Sequence, residues 1–344
     1  MYGLNFTICL GGTLFGLRLW LKGIGAPERE RKSLRAVSGI SLTIFLVLCT
    51  ITGFIQLSDQ FYQLDASDML TSQIPVSCIF AQNAEKGSSD WDAVWNNTRQ
   101  RVEMGDSIIL MAEGTFQVSS DEEENEILAI GQQIAMGSPS LSTVYLGISY
   151  LKTPPDVEAT NHFALVSSDP NIPVLWNYRK AFPVPLVEAN VQAGPAVLPV
   201  HDSVFGKLGG AICFDMDYPS YILQAGQQKV DLLLQPSWTW GAILSRHFEG
   251  DAVRAVENGF TLFRCSSMGE SGVVDRRGKF LHRQFTGDDP NVVAIFSIPL
   301  VPRTETVYVV IGFVIEWIGL IFSIIFCSFA FLPKTAMRKF APWL

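Results

Sequence analysis

A cysteine that attacks a carbonyl carbon needs a base to take its proton and positive charge where the acyl oxygen becomes an anion. Three residues of this 344-residue chain offer those parts. They are Cys213 in Ala211-Ile212-Cys213-Phe214-Asp215, Glu113 in Met111-Ala112-Glu113-Gly114-Thr115, and Lys180 in Tyr178-Arg179-Lys180-Ala181-Phe182. Each stands at or near the end of a β-rich run. Taken singly, each also fits an ordinary place: a strand-end glutamate in a polar loop, an exposed lysine, a buried thiol. Lys152 is a second strand-end lysine, but the Pro154-Pro155 pair after it marks a turn. His162, His201, His247 and His282 are scattered without ligand spacing, so neither a metal site nor a cofactor is expected. Trp238 and Trp240, just past a strand end, suit either the wall of an acyl pocket or ordinary packing.

The elements that must position these residues alternate. Strand-like runs occur at Val76–Gln82, Ser107–Ala112, Thr143–Tyr150, Phe163–Ser167, Val174–Tyr178, Gly209–Phe214, Asp231–Gln235, Thr261–Ser266 and Gly272–Asp275. Helical stretches lie at Asp90–Met104, Asp121–Met136, Tyr218–Ala225 and Arg246–Asn258. Short strands interleaved with helices predict a layered α/β domain over 75–299. The acidic run Asp121-Glu122-Glu123-Glu124 opens a helix, where the positive end of the helix dipole favours it.

In this order and these contexts the three residues resemble the Glu-Lys-Cys triad of the nitrilase, or carbon–nitrogen hydrolase, superfamily. The likeness extends to Ile79-Phe80-Ala81-Gln82, Gly210 through Pro219, Gln235-Pro236-Ser237-Trp238, Arg254 through Gly259, and Gly272 through Gly278. Within that superfamily the chain is most similar to apolipoprotein N-acyltransferase. Lys180 is followed by Val184-Pro185-Leu186-Val187-Glu188, which resembles the Lys and Val-Pro-Phe-Gly-Glu of that branch. It departs from the branch in Cys213-Phe214-Asp215, where Cys-Tyr-Glu is usual, and in offering two helices rather than a multi-pass bundle before the domain. The resemblance implies a nitrilase-like α-β-β-α sandwich flanked by transmembrane helices. It implies Cys213 as nucleophile, Glu113 as general base, and Lys180 with the backbone N–H after Cys213 as oxyanion donors. Glu188 matches the family's second glutamate, orienting Lys180 or the incoming nucleophile, and Asp215 is a candidate for similar support.

Charged residues make up only 17% of the chain, against 48% hydrophobic, which points to bilayer-buried segments. Leu4–Leu21, Val37–Leu57 and Val307–Leu332 are long and apolar enough to span. Basic residues crowd the loop between the first two and the tail 333–344, so both are expected on the cytoplasmic side. Residues 58–74 then form a linker, and the catalytic domain lies on the non-cytoplasmic side of an integral membrane protein. Arg18 and Glu316 are expected to form a loose pair within the membrane, or Glu316 to be protonated. Six cysteines are too few for a disulfide scaffold. Cys78 and Cys265 read as buried apolar residues, and a disulfide between them is an open but unsupported alternative. Asn96-Asn97-Thr98 is a glycosylation sequon, a weak signal. A net charge of −8 argues against nucleic acid as a partner.

The expected function is a membrane-anchored acyltransferase that forms a thioester on Cys213 and passes the acyl group to an amine. The alternatives are an amidase-type hydrolase using the same triad with water, and a catalytically silent membrane protein that keeps the fold for interaction. A short tether, Leu300–Thr306, holds the domain at the bilayer and favours a lipid over an amide as acyl donor.

Overall fold

The computed structural model describes residues 72–139, 143–311 and 317. The chain divides into two compact units, Ser67–Val310 and Met1–Ala66 with Ile311–Leu344. In chain order, the first unit contains β1 (Gln73–Ile79), α1 (Ser89–Glu103), β2 (Ile108–Met111), β3 (Phe116–Val118), α2 (Asp121–Met136), β4 (Tyr145–Lys152), β5 (Thr160–Ser167) and β6 (Val174–Arg179). There follow β7 (Val200–Ser203), β8 (Gly206–Gly210), a 3-10 turn at Cys213–Asp217, α3 (Pro219–Gln227), β9 (Leu232–Trp238), α4 (Leu244–Asn258), β10 (Thr261–Ser267), β11 (Gly269–Val274), β12 (Phe280–Thr286) and β13 (Val293–Pro299).

Two sheets form. One runs β13-β1-β2-β4-β5-β6 with β3 paired to β4, and the other runs β12-β11-β10-β9-β8-β7. The period-2 alternation of apolar residues explains why both faces of the first sheet are covered. On β1 and β2, Val76, Cys78, Ile108 and Leu110 enter the core between the sheets. Their neighbours Ile79, Ile109 and Met111 enter a second core with Trp91, Trp95 and Ile127 of α1 and α2. The other two helices bury Tyr221, Ile222, Phe248 and Ala252 in the same continuous apolar cluster, with α4 packed on β10 and β11 of the second sheet. The result is the four-layer α-β-β-α sandwich expected. Helix starts follow from local chemistry: the Ser88 and Ser120 side chains accept from Trp91 N and Glu123 N, and the four acidic residues of α2 occupy its first turn. α4 stops at Gly259, whose left-handed φ of 76° and close approach to the Thr304 carbonyl leave no room for a Cβ.

Several expectations are corrected. Cys78 and Cys265 are fully buried as expected, and of the two alternatives left open they take the bonded one, in a disulfide that ties β1 of one sheet to β10 of the other across 187 residues. Only the facing of the two sheets brings them together, with Cα atoms 5.3 Å apart. The strand expected over Gly209–Phe214 ends at Gly210, because the chain turns into a 3-10 segment at Cys213. β3, β7, β12 and β13 were not anticipated; β12, a sheet-edge strand, is largely polar and shows no buried alternation until Thr286.

Among the described residues no helix is long and apolar enough to cross a membrane. The spans expected at 4–21 and 37–57, Arg18, Glu316 and the tail 333–344 lie outside the described residues. Of the third expected span, only 307–311 and 317 are described, and they are helical. The expected flanking helices therefore find no support in the described structure.

Candidate active site

Glu113 is placed by the turn that ends β2. Ala112 N donates to Ile79 O (3.0 Å) and Glu113 N to Ser237 O (3.2 Å), so the turn is stitched to both sheets. Gly114 takes φ +66°, and its N–H reaches Ser149 Oγ (3.1 Å). The Glu113 carboxylate then receives three donors: Lys180 Nζ (2.7 Å) and Asn161 Nδ2 (2.9 Å) on Oε1, and Trp238 N (2.9 Å) on Oε2.

Lys180 follows β6, in phase with Trp176 and Tyr178 of the inter-sheet core. That phase carries its ammonium inward, where the residue is only 1% exposed. Its second carboxylate is Glu188 Oε2 at 2.6 Å, which also accepts from Val184 N (2.6 Å). Burial alone would lower the Lys180 ammonium, but the carboxylate charges of Glu113 and Glu188 outweigh it and hold the group above the ordinary lysine range. Lys180 is therefore a fixed cation.

Cys213 begins the 3-10 turn with φ 42°, a conformation that costs a non-glycine residue and that presents its side chain sharply out of the chain path. Its Sγ–H donates to Trp238 O at 3.3 Å, and its own carbonyl accepts from Gln235 Nε2 at 3.4 Å. One residue, Trp238, thus anchors Glu113 by its N–H and Cys213 by its C=O. Burial first, and the Glu113 charge second, push the thiol above its ordinary value, so Cys213 rests protonated.

Asp215 reaches no triad atom directly. It accepts from Ile212 N, Tyr178 OH and Phe182 N, each at 2.9 Å, and so binds the turn bearing Cys213 to the residues on either side of Lys180. Burial pushes its carboxyl up to about 7 against the pull of those donors and of Lys180. Four of the five expected site residues therefore meet around one point, and Asp215 braces them from outside. Phe182 and Tyr218 stack at 3.7 Å, and Phe214 meets Tyr218 edge-on at 5.6 Å beside the cysteine. Trp238 and Trp240 lie 5.2 Å apart.

Lys152 lies elsewhere, paired with Asp121 and Glu124. Among the described residues no group of three or more His, Cys, Asp or Glu side chains is set to hold a metal ion. Other polar residues went unforeseen. Gln82 Nε2 supports the Glu113 turn through Glu113 O (3.0 Å) and Ser267 Oγ (2.6 Å). Arg264, fully buried, pairs with Asp251, and Asp251 accepts from the same Gln235 that holds the Cys213 carbonyl (2.9 Å). Burial raises Asp251 to about 6, and burial with the Arg264 charge lowers His247 to about 3. The signal was available: an arginine within the apolar run Thr261-Leu262-Phe263-Arg264-Cys265 needs a buried partner.

Residues 135–301 match the family described as carbon–nitrogen hydrolase. That stretch is similar to a carbon–nitrogen hydrolase domain of the nitrilase superfamily. Over 128 residues this chain is 32% identical to the deaminated glutathione amidase of Dictyostelium discoideum, a stretch that spans 34% of this chain and 43% of that protein. The fold is shared with an amidase from a Nesterenkonia species at 20% identity, covering 69% of this chain and 92% of that one with a TM-score of 0.55. A mutant of the Nesterenkonia amidase, 18% identical over 67% of this chain and 92% of its own with a TM-score of 0.55, carries the acetamide moiety of fluoroacetamide on its active-site cysteine. These relatives are amidases, and they give no support to the finer resemblance to apolipoprotein N-acyltransferase.

Proposed function

We propose that the carbon–nitrogen hydrolase domain is an amidase that works through a thioester on Cys213. The observation that carries this reading is the shared anchor at Trp238, which holds the Glu113 carboxylate and the Cys213 thiol by the two polar groups of one residue. A base and a nucleophile held this way are paired before substrate arrives.

Because the thiol rests neutral, its proton must leave during attack. Glu113 takes it as Sγ bonds to the amide carbon. Lys180 has committed two N–H groups to Glu113 and Glu188, and its third, with the N–H that follows Cys213, stabilises the oxyanion. The carboxylic acid of Glu113 then gives its proton to nitrogen, the C–N bond breaks, and ammonia or an amine departs, leaving the thioester. Glu113 next takes a proton from water, the resulting hydroxide adds to the thioester carbon, and Sγ leaves and regains a proton. Glu188 keeps Lys180 aimed, and Asp215 keeps the Cys213 turn in register with it.

Relatives that are amidases support water as acceptor; transfer to an amine would use the same thioester. The test is mass spectrometry of the full chain incubated with short primary amides, with ammonia release measured in parallel. The expected result is a Cys213 acyl adduct and ammonia in step with turnover. No adduct and no ammonia from any amide would overturn the reading.

A further inference from the structure

Asn161 lies on β5 in phase with Phe163 and Leu165 of the inter-sheet core, so its side chain enters the same space as the site. Its Nδ2 donates to Glu113 Oε1 (2.9 Å) and Glu188 Oε1 (3.4 Å), closing a ring with Lys180. Two carboxylates demand the NH2 end, so the amide cannot be turned the other way without setting oxygen against oxygen. Its Oδ1 is then left buried with no hydrogen-bond partner, in a residue that is only 3% exposed. A buried acceptor held in one orientation beside the general base calls for a donor.

The bound substrate brings that donor. The nitrogen that takes a proton from Glu113 must come within hydrogen-bond reach of Glu113, and the nitrogen of a primary amide carries N–H groups of its own. An ester offers oxygen there and has nothing to donate. We propose that Asn161 Oδ1 accepts an N–H from the departing nitrogen and so selects amides over esters of the same acid. This rests on the amidase reading, and it adds a catalytic residue to the triad.

The test pairs propionamide with methyl propionate on the full chain and on the variants Asn161→Ala and Asn161→Asp. In Asn161→Ala, kcat/KM for the amide should fall roughly tenfold further than for the ester, about the worth of one hydrogen bond. Asn161→Asp keeps an oxygen acceptor but loses the donor to Glu113 and Glu188, so it should lower both substrates together. The ratio within one preparation is independent of how much protein is folded. Should Asn161→Ala not fold, Asn161→Ser should show the same excess, since its shorter hydroxyl falls short of the nitrogen. An unchanged amide-to-ester ratio, with thioester still forming, would overturn the Asn161 assignment alone. Absence of thioester from both substrates in the unmodified chain would overturn the amidase reading and this proposal with it.

Discussion

Lys180 and Lys152 each stand at the end of a strand of the same sheet, and each reaches two carboxylates. Lys180 meets Glu113 and Glu188; Lys152 meets Asp121 and Glu124. Residue type and local pairing are nearly the same, yet the two clusters lie in different layers. Lys180 is in phase with Trp176 and Tyr178, which enter the inter-sheet core, whereas Lys152 is in phase with Ile148 and Tyr150, which enter the core under α2. The Lys180 side chain is 1% exposed with partners at 6% and 15%, while Lys152 is 17% exposed and its partner Asp121 82%, so that the Lys152–Asp121 pair is the one open to water. A pair in water is screened, whereas a pair shut away from water keeps its field, and only the buried one has a thiol beside it. Two lysines with acidic neighbours therefore stand in different settings: one is placed to stabilise the oxyanion of the proposed reaction, and the other fastens the start of α2 to the sheet.

Substitutions can break this comparison. The largest effect is expected for Cys213→Ala, which should abolish the acyl adduct as read by mass spectrometry. Lys180→Ala should lower turnover by about 10²-fold or more, because it removes an oxyanion donor, and it should also destabilise the fold, because Glu113 and Glu188 are left facing each other. Retention of turnover in that variant, with loss in Lys152→Ala, would reverse the assignment of the two lysines. Glu113→Gln should reduce amide turnover by roughly 10²–10⁴-fold. Iodoacetamide labelling of Cys213 should not fall with it, since the charge that holds the thiol up is gone; parallel loss of both would show that Glu113 only shapes the site.

A smaller effect lies in the pH profile. Burial, then the Glu113 charge, place the Cys213 thiol above its ordinary value of 9.0, so the thiolate fraction grows as pH rises and is small near neutrality. Labelling of Cys213 by iodoacetamide should still be accelerating at about pH 9. A plateau reached near pH 6 would mean a resting thiolate paired with Lys180 and would remove the need for Glu113 as base. The smallest effect is expected for Lys152→Ala, with turnover within about twofold of the unmodified chain and a modest fall in Tm.

Much of this organisation was legible in one dimension. Short β-rich runs interleaved with helical stretches announced a layered α/β domain, and the acidic run at Asp121–Glu124 marked a helix start, since strand preference and helix dipole act locally. Cys213, Glu113 and Lys180 stood out because their neighbours carry a family pattern, and Glu188 followed from the same resemblance, through the Val184-Pro185 run that leads to it. Asn161 did not stand out, because a single asparagine entering the apolar run His162-Phe163-Ala164-Leu165-Val166 is unremarkable until its amide is seen between two carboxylates. The Arg264–Asp251–Gln235 brace was legible only at one end: Arg264 in an apolar run calls for a buried partner, but Asp251 and Gln235 lie on two other elements and are not marked as that partner by their neighbours.

By itself, then, the chain determined the kinds of element, the phase of each strand and the residue types able to form an acyl-enzyme, because these depend on neighbours two to four positions apart. Tertiary structure decided which lysine faces the cysteine, that Trp238 anchors base and nucleophile together, that Cys78 and Cys265 are bonded, and that one amide oxygen of Asn161 is left without a donor. Those facts depend on how two sheets face each other across a core, and the contacts join residues up to 187 positions apart. Spacing along the chain carries no record of such distances, because the burial that sets them exists only once the layers have closed.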